Sequence, residues 1–273
     1  MAIGQRIQYK RYIEDNFSLV DKNGDYVPFK LNAIQDRYLE EDSTSRDVVL
    51  KARQQGFSSL ILARFTTDFI LEPNSQSVVV ADIEENAEAL LERVKLYLRS
   101  WEEKNGFKIP LKYNSKSVLV NEAMNSKYTI GTAKATEFGR SRTITNLHLS
   151  EPAFYPNLGK ILAGAGNAVT PNGYVVLETT ANGFNEFKEF YDRSELNGTG
   201  YKALFYPASS MYDEVFLESK RKEQGRLYRQ EYPETALEAF LTSGDQYFSN
   251  EALERYLQFS TSYTQVVNAP IYA

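Results

Sequence analysis

A polar loop with one glycine follows a short β-branched strand and precedes an apolar run that is compatible with a helix. The strand spans residues 47–51, the loop contains Gly56, and the helical run opens with Ser58 and Ser59. A strand, a tight loop and a helix in this order present backbone N–H groups and the positive end of a helix to a phosphate chain. The residues of the predicted phosphate-binding loop are Lys51, Ala52, Arg53, Gln54, Gln55, Gly56, Phe57, Ser58 and Ser59.

This loop matches the P-loop pattern G-x-x-x-x-G-K-[ST] only in part. Gly56 and Ser58 occupy the second glycine and the hydroxyl position, but Lys51 stands at the first glycine and Phe57 at the usual lysine. The cation is thus displaced to the loop entrance, with Arg53 beside it. From there Lys51 could reach the β- and γ-phosphates while Ser58 holds Mg²⁺. Taken alone, the loop fits a basic strand-to-helix turn equally well.

An acidic residue follows the strand that contains the single histidine, His148. The strand Leu147–Leu149 ends in Ser150-Glu151, where a P-loop ATPase ordinarily has Asp-Glu. Glu151 fits the residue that orients the attacking water and contacts Mg²⁺ through water. Ser150 brings no charge and can only hydrogen-bond a metal-bound water. The alternative is a strand that simply ends in a polar turn before Pro152.

A further strand ends in the sequence Glu178-Thr-Thr-Ala-Asn182. Polar groups at the carboxyl end of a parallel strand lie where open α/β sheets bind ligands. Thr180 and Asn182 are therefore candidates to contact the γ-phosphate or the lytic water. A capped helix start, with Asn182 or Asn185 as the N-cap, explains the same residues equally well.

Strands that alternate with helices position these groups. Residues 77–82, 145–149 and 173–177 are unbroken apolar strands, and an amphipathic helix over residues 84–101 follows the first of them. This pattern predicts a mostly parallel sheet covered on both faces, and so an α/β fold of the P-loop NTPase (RecA-like) class.

The composition changes towards charged helix after about residue 210. We predict an ATPase-type core over residues 1–210, which begins with a helix and a hairpin, and a small lid subdomain over residues 211–259. Residues 260–273 have no strong pattern and read as a shortened linker.

Composition excludes several classes of site. The 273 residues include no cysteine and one histidine, which rules out disulfides and multi-histidine zinc sites within the chain. No apolar run approaches the length of a membrane span. The net charge of −5 means that any nucleic-acid contact must come from a local basic patch.

Several short motifs occur in one order along the chain and together resemble the ATPase domain of tailed-phage large terminases, the motors that package viral genomes. Each motif alone is weak, but the ordered set is specific. The motifs are Phe29-Lys-Leu with Gln35, Lys51-x-Arg53-Gln-x-Gly56-x-Ser58, Gly139-Arg140 before Leu-His-Leu-Ser-Glu151, Glu178-Thr-Thr-Ala-Asn-Gly183, and Tyr232-Pro with Glu238-Ala-Phe-Leu and Ser243-Gly244.

The resemblance implies roles for individual residues. Lys51 and Arg53 correspond to a displaced-lysine phosphate loop, and Glu151 to the catalytic glutamate. The coupling motif that links hydrolysis to movement corresponds to Thr179, Thr180 and Asn182. The adenine-recognising segment corresponds to Gln35 and Phe29. A trans-acting arginine finger corresponds to Arg140, with Arg142 as the second candidate.

The resemblance also implies the cofactors and partners of such a motor. They are ATP and Mg²⁺, double-stranded DNA, a homo-oligomeric ring on a portal, and a small terminase subunit, in the cytoplasm of an infected bacterium and without a membrane. Large terminases usually continue into a nuclease domain. The chain ends soon after residues 238–241, so we expect either a truncation that leaves this nuclease out or a nuclease in a separate chain, and we favour the truncation.

Two other functions compete with a packaging motor. A helicase-like or repair ATPase would share the fold, but the chain lacks a DEAD/DEAH-type tetrapeptide and a second motor domain. A non-catalytic scaffold with a vestigial nucleotide site would explain the altered positions Lys51 and Phe57.

Overall fold

The computed structural model describes residues 3–134, 143–241 and 255. The chain begins with helix α1 (Ile3–Asn16) and the antiparallel hairpin of β1 (Ser18–Val20) and β2 (Tyr26–Pro28), which confirms the helix and hairpin predicted at the start of the core. Helix α2 (Ala33–Arg37) continues into a π-helical turn (Tyr38–Asp42) that leads to the central sheet.

In the described part of the chain, eight strands form the central sheet. They are β3 (Arg46–Lys51), β4 (Gln76–Ala81), β5 (Leu111–Asn114), β6 (Val118–Asn121), β7 (Ser126–Thr132), β8 (Ile144–Ser150), β9 (Val169–Thr179) and β10 (Lys202–Tyr206). Their spatial order is β10-β3-β9-β8-β4-β7-β6-β5. The pairs from β10 to β7 are parallel, and β6 and β5 extend the sheet antiparallel. The predicted mostly parallel sheet is thus confirmed, although the sequence did not indicate β5.

Helices cover both faces of this sheet. They are α3 (Phe57–Leu71), α4 (Glu84–Asn105), α5 (Leu158–Gly164), α6 (Glu186–Glu195), α7 (Glu214–Gln224), α8 (Tyr228–Glu231) and α9 (Ala236–Leu241). On one face, Val49 and Val176 pack with α1, α3 and α4; on the other, Val48, Val175 and Leu177 pack with α5, α6 and α9. Because successive strand residues point to opposite faces, two covered faces produce the unbroken apolar runs in the sequence.

The strand order brings the predicted polar strand ends together. Strand β9 lies between β3 and β8, so the loop after residue 51, the residues after 150 and those after 179 meet at one edge. Ser150 on β8 pairs in register with Glu178 on β9. Carboxyl ends of neighbouring parallel strands form the usual ligand crevice of an open α/β sheet.

A small third cluster joins the last helices to this edge. Leu217, Tyr228 and Tyr232 pack around Ala52 and Ala208. The predicted boundary between a core and a lid at residue 210 stays a prediction, and residues 260–273 lie outside the described residues. Among the described residues, no helix is long and apolar enough to cross a membrane.

Candidate functional site

The loop between β3 and α3 requires glycine at one position. Gly56 has φ of +84°, a left-handed conformation that disfavours side chains. A Cβ atom there would lie 2.7 Å from Nε2 of Gln35. These two constraints explain why glycine occupies this position of the pattern. The left-handed conformation of Gly56 turns the chain sharply into the helix that starts at Phe57.

Neighbouring side chains brace the loop backbone from two sides. Gln35 Nε2 donates to the Gly56 carbonyl at 2.7 Å, and Asn32 Nδ2 donates to the Gln55 carbonyl at 3.1 Å. On the other side, Gln55 Nε2 donates to the Pro207 carbonyl at 2.9 Å. Hydrogen bonds between side chains and backbone carbonyls therefore fix the conformation of the loop.

Lys51 ends β3 and is buried between two carboxylates. Its Nζ lies 3.2 Å from Oε1 of Glu151 and 3.3 Å from Oε2 of Glu178. Burial alone would lower the pKa of Lys51, but the two carboxylates outweigh it and raise the pKa. Lys51 is therefore a fixed positive charge at the loop entrance, as the displaced-lysine hypothesis requires.

Glu178 is the buried hub of this cluster. Its Oε1 lies 2.8 Å from Ser58 Oγ, 3.0 Å from Ser150 Oγ and 3.0 Å from His148 Nε2. Burial pushes the pKa of Glu178 upward, but Lys51 together with His148 and Ser58 lowers it to about 2. The carboxylate is therefore ionised and only accepts hydrogen bonds, so His148 carries its proton on Nε2.

Glu151 sits on a strained turn directly after β8. Its φ of 57° is left-handed, which is uncommon for a residue with a side chain. Besides the contact with Lys51, its Oε2 accepts from Thr179 Oγ1 at 2.9 Å and from the Thr180 N–H at 3.1 Å. Burial raises the pKa of Glu151, Lys51 opposes this, and the negative Glu178 adds to it. The side chain is 30% exposed and reaches solvent.

Lys51, Ser58, Ser150 and Glu151 line a cavity of about 630 Å³, a size typical of ligand pockets, and Glu178 lies fully buried beside them. The predicted residues that line it are Lys51, Arg53, Gln54, Gln55, Gly56, Phe57, Ser58, Ser59, Glu151 and Thr180. The structure thus brings most of the predicted site together. It adds Arg93 on α4 and Asp82 just before α4, neither of which belongs to a motif recognised in the sequence.

Phe29 and Gln35, the predicted adenine contacts, lie outside the cavity lining. Phe29 is 1% exposed and its ring centroid lies 5.8 Å from that of Tyr97 in the core. Gln35 stands behind the loop, where it donates to Gly56 and forms a capping box with Asn32. The structure gives Phe29 a packing role and Gln35 a loop-bracing role, because both are committed to protein contacts.

Three further predicted residues also make protein contacts. Phe57, in the usual lysine position, is 1% exposed and packs against Tyr206. Ala52 is buried in the third cluster, outside the cavity lining. Asn182 donates through Nδ2 to the Ala153 carbonyl at 3.1 Å.

The N-cap prediction is resolved at the start of α6. The Asn185 side chain accepts from the backbone of the first helical turn, so Asn185 is the cap and Asn182 is not. The two predicted finger residues, Arg140 and Arg142, lie outside the described residues.

Arg53 lies at the solvent-exposed rim of the cavity. Its side chain is 56% exposed, and Nη1 lies 2.9 Å from Oε2 of Glu231 on α8. Tyr212 Oη donates to the Arg53 carbonyl at 2.9 Å. The hydrogen bond and charge of Glu231 raise the pKa of Arg53. The residue therefore links the loop to the last helices rather than to the buried carboxylates.

Glu178 is the main functional candidate that the sequence did not single out. The signal was present, since a glutamate interrupts the apolar run of β9 at a position where both faces are covered. A buried carboxylate must have partners because its desolvation is costly. The sequence could not show that Lys51, Ser58 and Ser150 are those partners.

The oxygen donors at the loop fit a magnesium ion of the P-loop type. Mg²⁺ prefers oxygen ligands and keeps several waters, with few direct protein ligands. Ser58 Oγ, next to the Glu178 carboxylate and open to the cavity, is such a donor. Among the described residues, no group of three or more acidic, histidine or cysteine side chains is arranged to hold a metal ion by itself, and a site completed by phosphates needs none.

No protein-family model and no curated protein sequence matches the chain significantly. Solved structures do. The Thermus phage P74-26 large terminase ATPase domain superposes with a TM-score of 0.60 at 18% identity, covering 75% of this chain and 93% of that one. The bacteriophage HK97 large terminase gives 0.61 at 16% identity and covers 96% of this chain.

A third structure carries a nucleotide. The large terminase of a thermophilic bacteriophage in complex with ATP-gamma-S gives a TM-score of 0.53 at 10% identity, over 73% of this chain. The present chain spans 54% of the HK97 protein. At these identities the likeness shows the fold: the chain has the α/β architecture of large terminase ATPase domains, as the motifs predicted.

Proposed function

We propose that this chain is the ATPase domain of a viral DNA-packaging motor, which hydrolyses ATP to move double-stranded DNA into a procapsid. One observation carries the proposal. On a fold shared with large terminase ATPase domains, the displaced cation Lys51 lies buried at the loop entrance, in contact with the predicted catalytic Glu151. A solved structural neighbour in complex with ATP-gamma-S supports nucleotide binding by the present chain.

Lys51 changes partners in this mechanism. In the structure its ammonium forms ion pairs with both Glu151 and Glu178. The terminal phosphates of ATP offer a stronger anion at the loop entrance, and Lys51 turns towards them. Glu151 then loses its salt bridge and becomes free to bind water. A preorganised cation in a site screened from solvent stabilises the charge that develops on the phosphates.

Glu151 orients the attacking water. Its Oε2 stays fixed by Thr179 and the Thr180 N–H, which leaves Oε1 to accept from water once Lys51 has moved. Burial raises the pKa of Glu151, and a raised pKa makes a carboxylate a better proton acceptor. Ser58 would hold Mg²⁺, which would supply positive charge to the phosphates. Arg140 of a neighbouring subunit remains the candidate finger.

The contacts around β9 offer a route from hydrolysis to movement. Thr180 lines the cavity, and the Ala181 carbonyl next to it accepts from Gln230 Nε2 on α8 at 3.1 Å. The same helix holds Arg53 through Glu231. A conformational change at the γ-phosphate can therefore be transmitted to α8 by two routes, the coupling segment and the loop. Helices α7 and α8 would then act as the lid.

The proposed setting is that of a packaging motor. The partners would be double-stranded DNA, further copies of the chain in a ring on a portal, and a small terminase subunit, in the host cytoplasm. Because the chain carries a net charge of −5, DNA contacts must come from local basic surface, mainly to phosphates.

Replacing the proposed catalytic glutamate tests this function. We expect Glu151→Gln to bind ATP but to lower single-turnover hydrolysis by about 10²- to 10⁴-fold, because the amide accepts no proton. Glu122→Gln is the matched control: Glu122 is exposed between β6 and β7, at the opposite edge of the sheet, and should leave both properties unchanged. Equal hydrolysis in the wild type and Glu151→Gln would favour the vestigial scaffold instead.

A DNA assay separates the motor from a helicase. A packaging motor should move duplex DNA with ATP in the presence of portal and procapsid, without separating its strands. Strand displacement from a labelled duplex by the same protein would contradict packaging and favour the helicase-like alternative.

A further inference from the structure

Glu178 and Ser150 lie side by side on two neighbouring strands. They are in register between β9 and β8, and the Ser150 hydroxyl donates to Glu178 Oε1 at 3.0 Å. Ser150 occupies the place where a P-loop ATPase ordinarily has the aspartate that organises magnesium. The carboxylate missing from β8 is thus present beside it, on the adjacent strand.

The same carboxylate oxygen contacts the loop hydroxyl. Glu178 Oε1 lies 2.8 Å from Ser58 Oγ, the one hydroxyl predicted to bind Mg²⁺ directly. Carboxylates that hydrogen-bond a metal ligand orient it and raise its basicity, and they also hold metal-bound water. In this position Glu178 does for Ser58 what the missing aspartate would do.

The charge balance of the site supports the same role for Glu178. Glu178 is fully buried, and Lys51 is its cation in the structure. When Lys51 turns to the phosphates, an uncompensated buried carboxylate would remain, which is unfavourable. A dication beside Ser58 would replace the lost charge. Glu151 is less suited, because Thr179 and Thr180 hold its Oε2 and its Oε1 is assigned above to the attacking water.

We propose that Glu178 supplies the magnesium-organising carboxylate of this site from β9, in place of the residue at Ser150 on β8. The proposal rests on the nucleotide function proposed above and assigns the two acidic groups separate tasks. Glu178 positions the metal through Ser58 and water, whereas Glu151 acts on the attacking water.

Magnesium-dependent nucleotide binding tests the proposal without relying on turnover. A fluorescent non-hydrolysable ATP analogue is titrated into the 273-residue chain at increasing Mg²⁺ and in EDTA. In Glu178→Gln the Mg²⁺ midpoint should rise about 10- to 100-fold, the range for lost groups behind a metal ligand, while binding in EDTA stays similar. The double variant Ser150→Asp/Glu178→Gln should restore the midpoint, because the charge returns beside Ser58.

Ser150→Ala provides the complementary arm, since it keeps the carboxylate. Its Mg²⁺ midpoint should change by only about two- to tenfold, the effect of one hydrogen bond. If Ser150→Ala raised the midpoint as much as Glu178→Gln, or if Glu178→Gln weakened binding equally with and without Mg²⁺, Glu178 would only anchor Lys51 and the proposal would be overturned. A wild-type chain that binds no analogue would instead overturn the nucleotide function itself.

Discussion

Lys51 at the inner end of the loop is buried between two carboxylates, whereas Arg53, two residues later, reaches one glutamate from the exposed rim. The inner contact is desolvated, so loss of one partner leaves an unpaired buried charge. The outer contact competes with water and salt, and pairs of that kind contribute at most about 1 kcal/mol. The comparison indicates that the inner end fixes the chemistry while the outer end can open and close.

The largest expected effect comes from removing the inner cation. Lys51→Met keeps the length of the side chain but leaves Glu151 and Glu178 facing each other. We expect the free energy of unfolding to fall by about 3–5 kcal/mol and ATP binding to be lost. Urea denaturation and nucleotide titration measure both. Lys112→Met, at an exposed lysine on β5, is the control and should change neither. Unchanged ATP binding in Lys51→Met would remove the basis for the displaced-lysine site.

Lowering the pH should reproduce part of that loss of stability. The pKa of Glu178 is lowered to about 2, below its ordinary value near 4.5. A lowered folded-state pKa adds stability that is present above pH 4.5 and is lost as the pH falls towards 2. The stability difference between the wild type and Glu178→Gln should therefore be constant near neutrality and shrink below pH 4.5. A difference that grows on acidification would contradict the ion pair.

Gly56→Ala should give an intermediate effect. The substitution places a side chain at a positive φ and a Cβ 2.7 Å from Gln35 Nε2. We expect about 2–3 kcal/mol of destabilisation, from the left-handed strain and the displaced hydrogen bond to the loop. Gly24→Ala is matched, since Gly24 has φ of +87° and open space around it. Equal destabilisation of the two variants would show that Gln35 does not brace the loop.

The smallest effect should come from the outer pair. A double-mutant cycle with Arg53→Ala and Glu231→Ala should give a coupling of about 0.2–1 kcal/mol that decreases in high salt. The corresponding cycle for Lys51 and Glu178 should be several times larger and nearly independent of salt. Equal couplings and equal salt dependence would mean that the two ends of the loop do not differ as described.

Local patterns in the sequence were sufficient to predict the fold and most of the predicted residues that line the cavity. The loop, Ser58 and Glu151 follow directly on apolar strands, and carboxyl ends of parallel strands meet at one edge whatever their order. Phe29 and Gln35 were assigned by resemblance alone, and the structure commits both to protein contacts. The edge strand β5 was missed because it is short and mostly exposed, so it lacks an apolar signal.

The sequence by itself determined a mostly parallel sheet covered on both faces, a loop of the phosphate-binding type with its cation at the entrance, and a glutamate at the end of a strand. These features are encoded within a few consecutive residues, where spacing fixes direction. Only the tertiary structure decided that β8 and β9 are neighbours in a register that pairs Ser150 with Glu178, and that Lys51 lies between Glu178 and Glu151. Such charge pairing joins residues a hundred or more positions apart, so it depends on strand order and register, which no local pattern specifies.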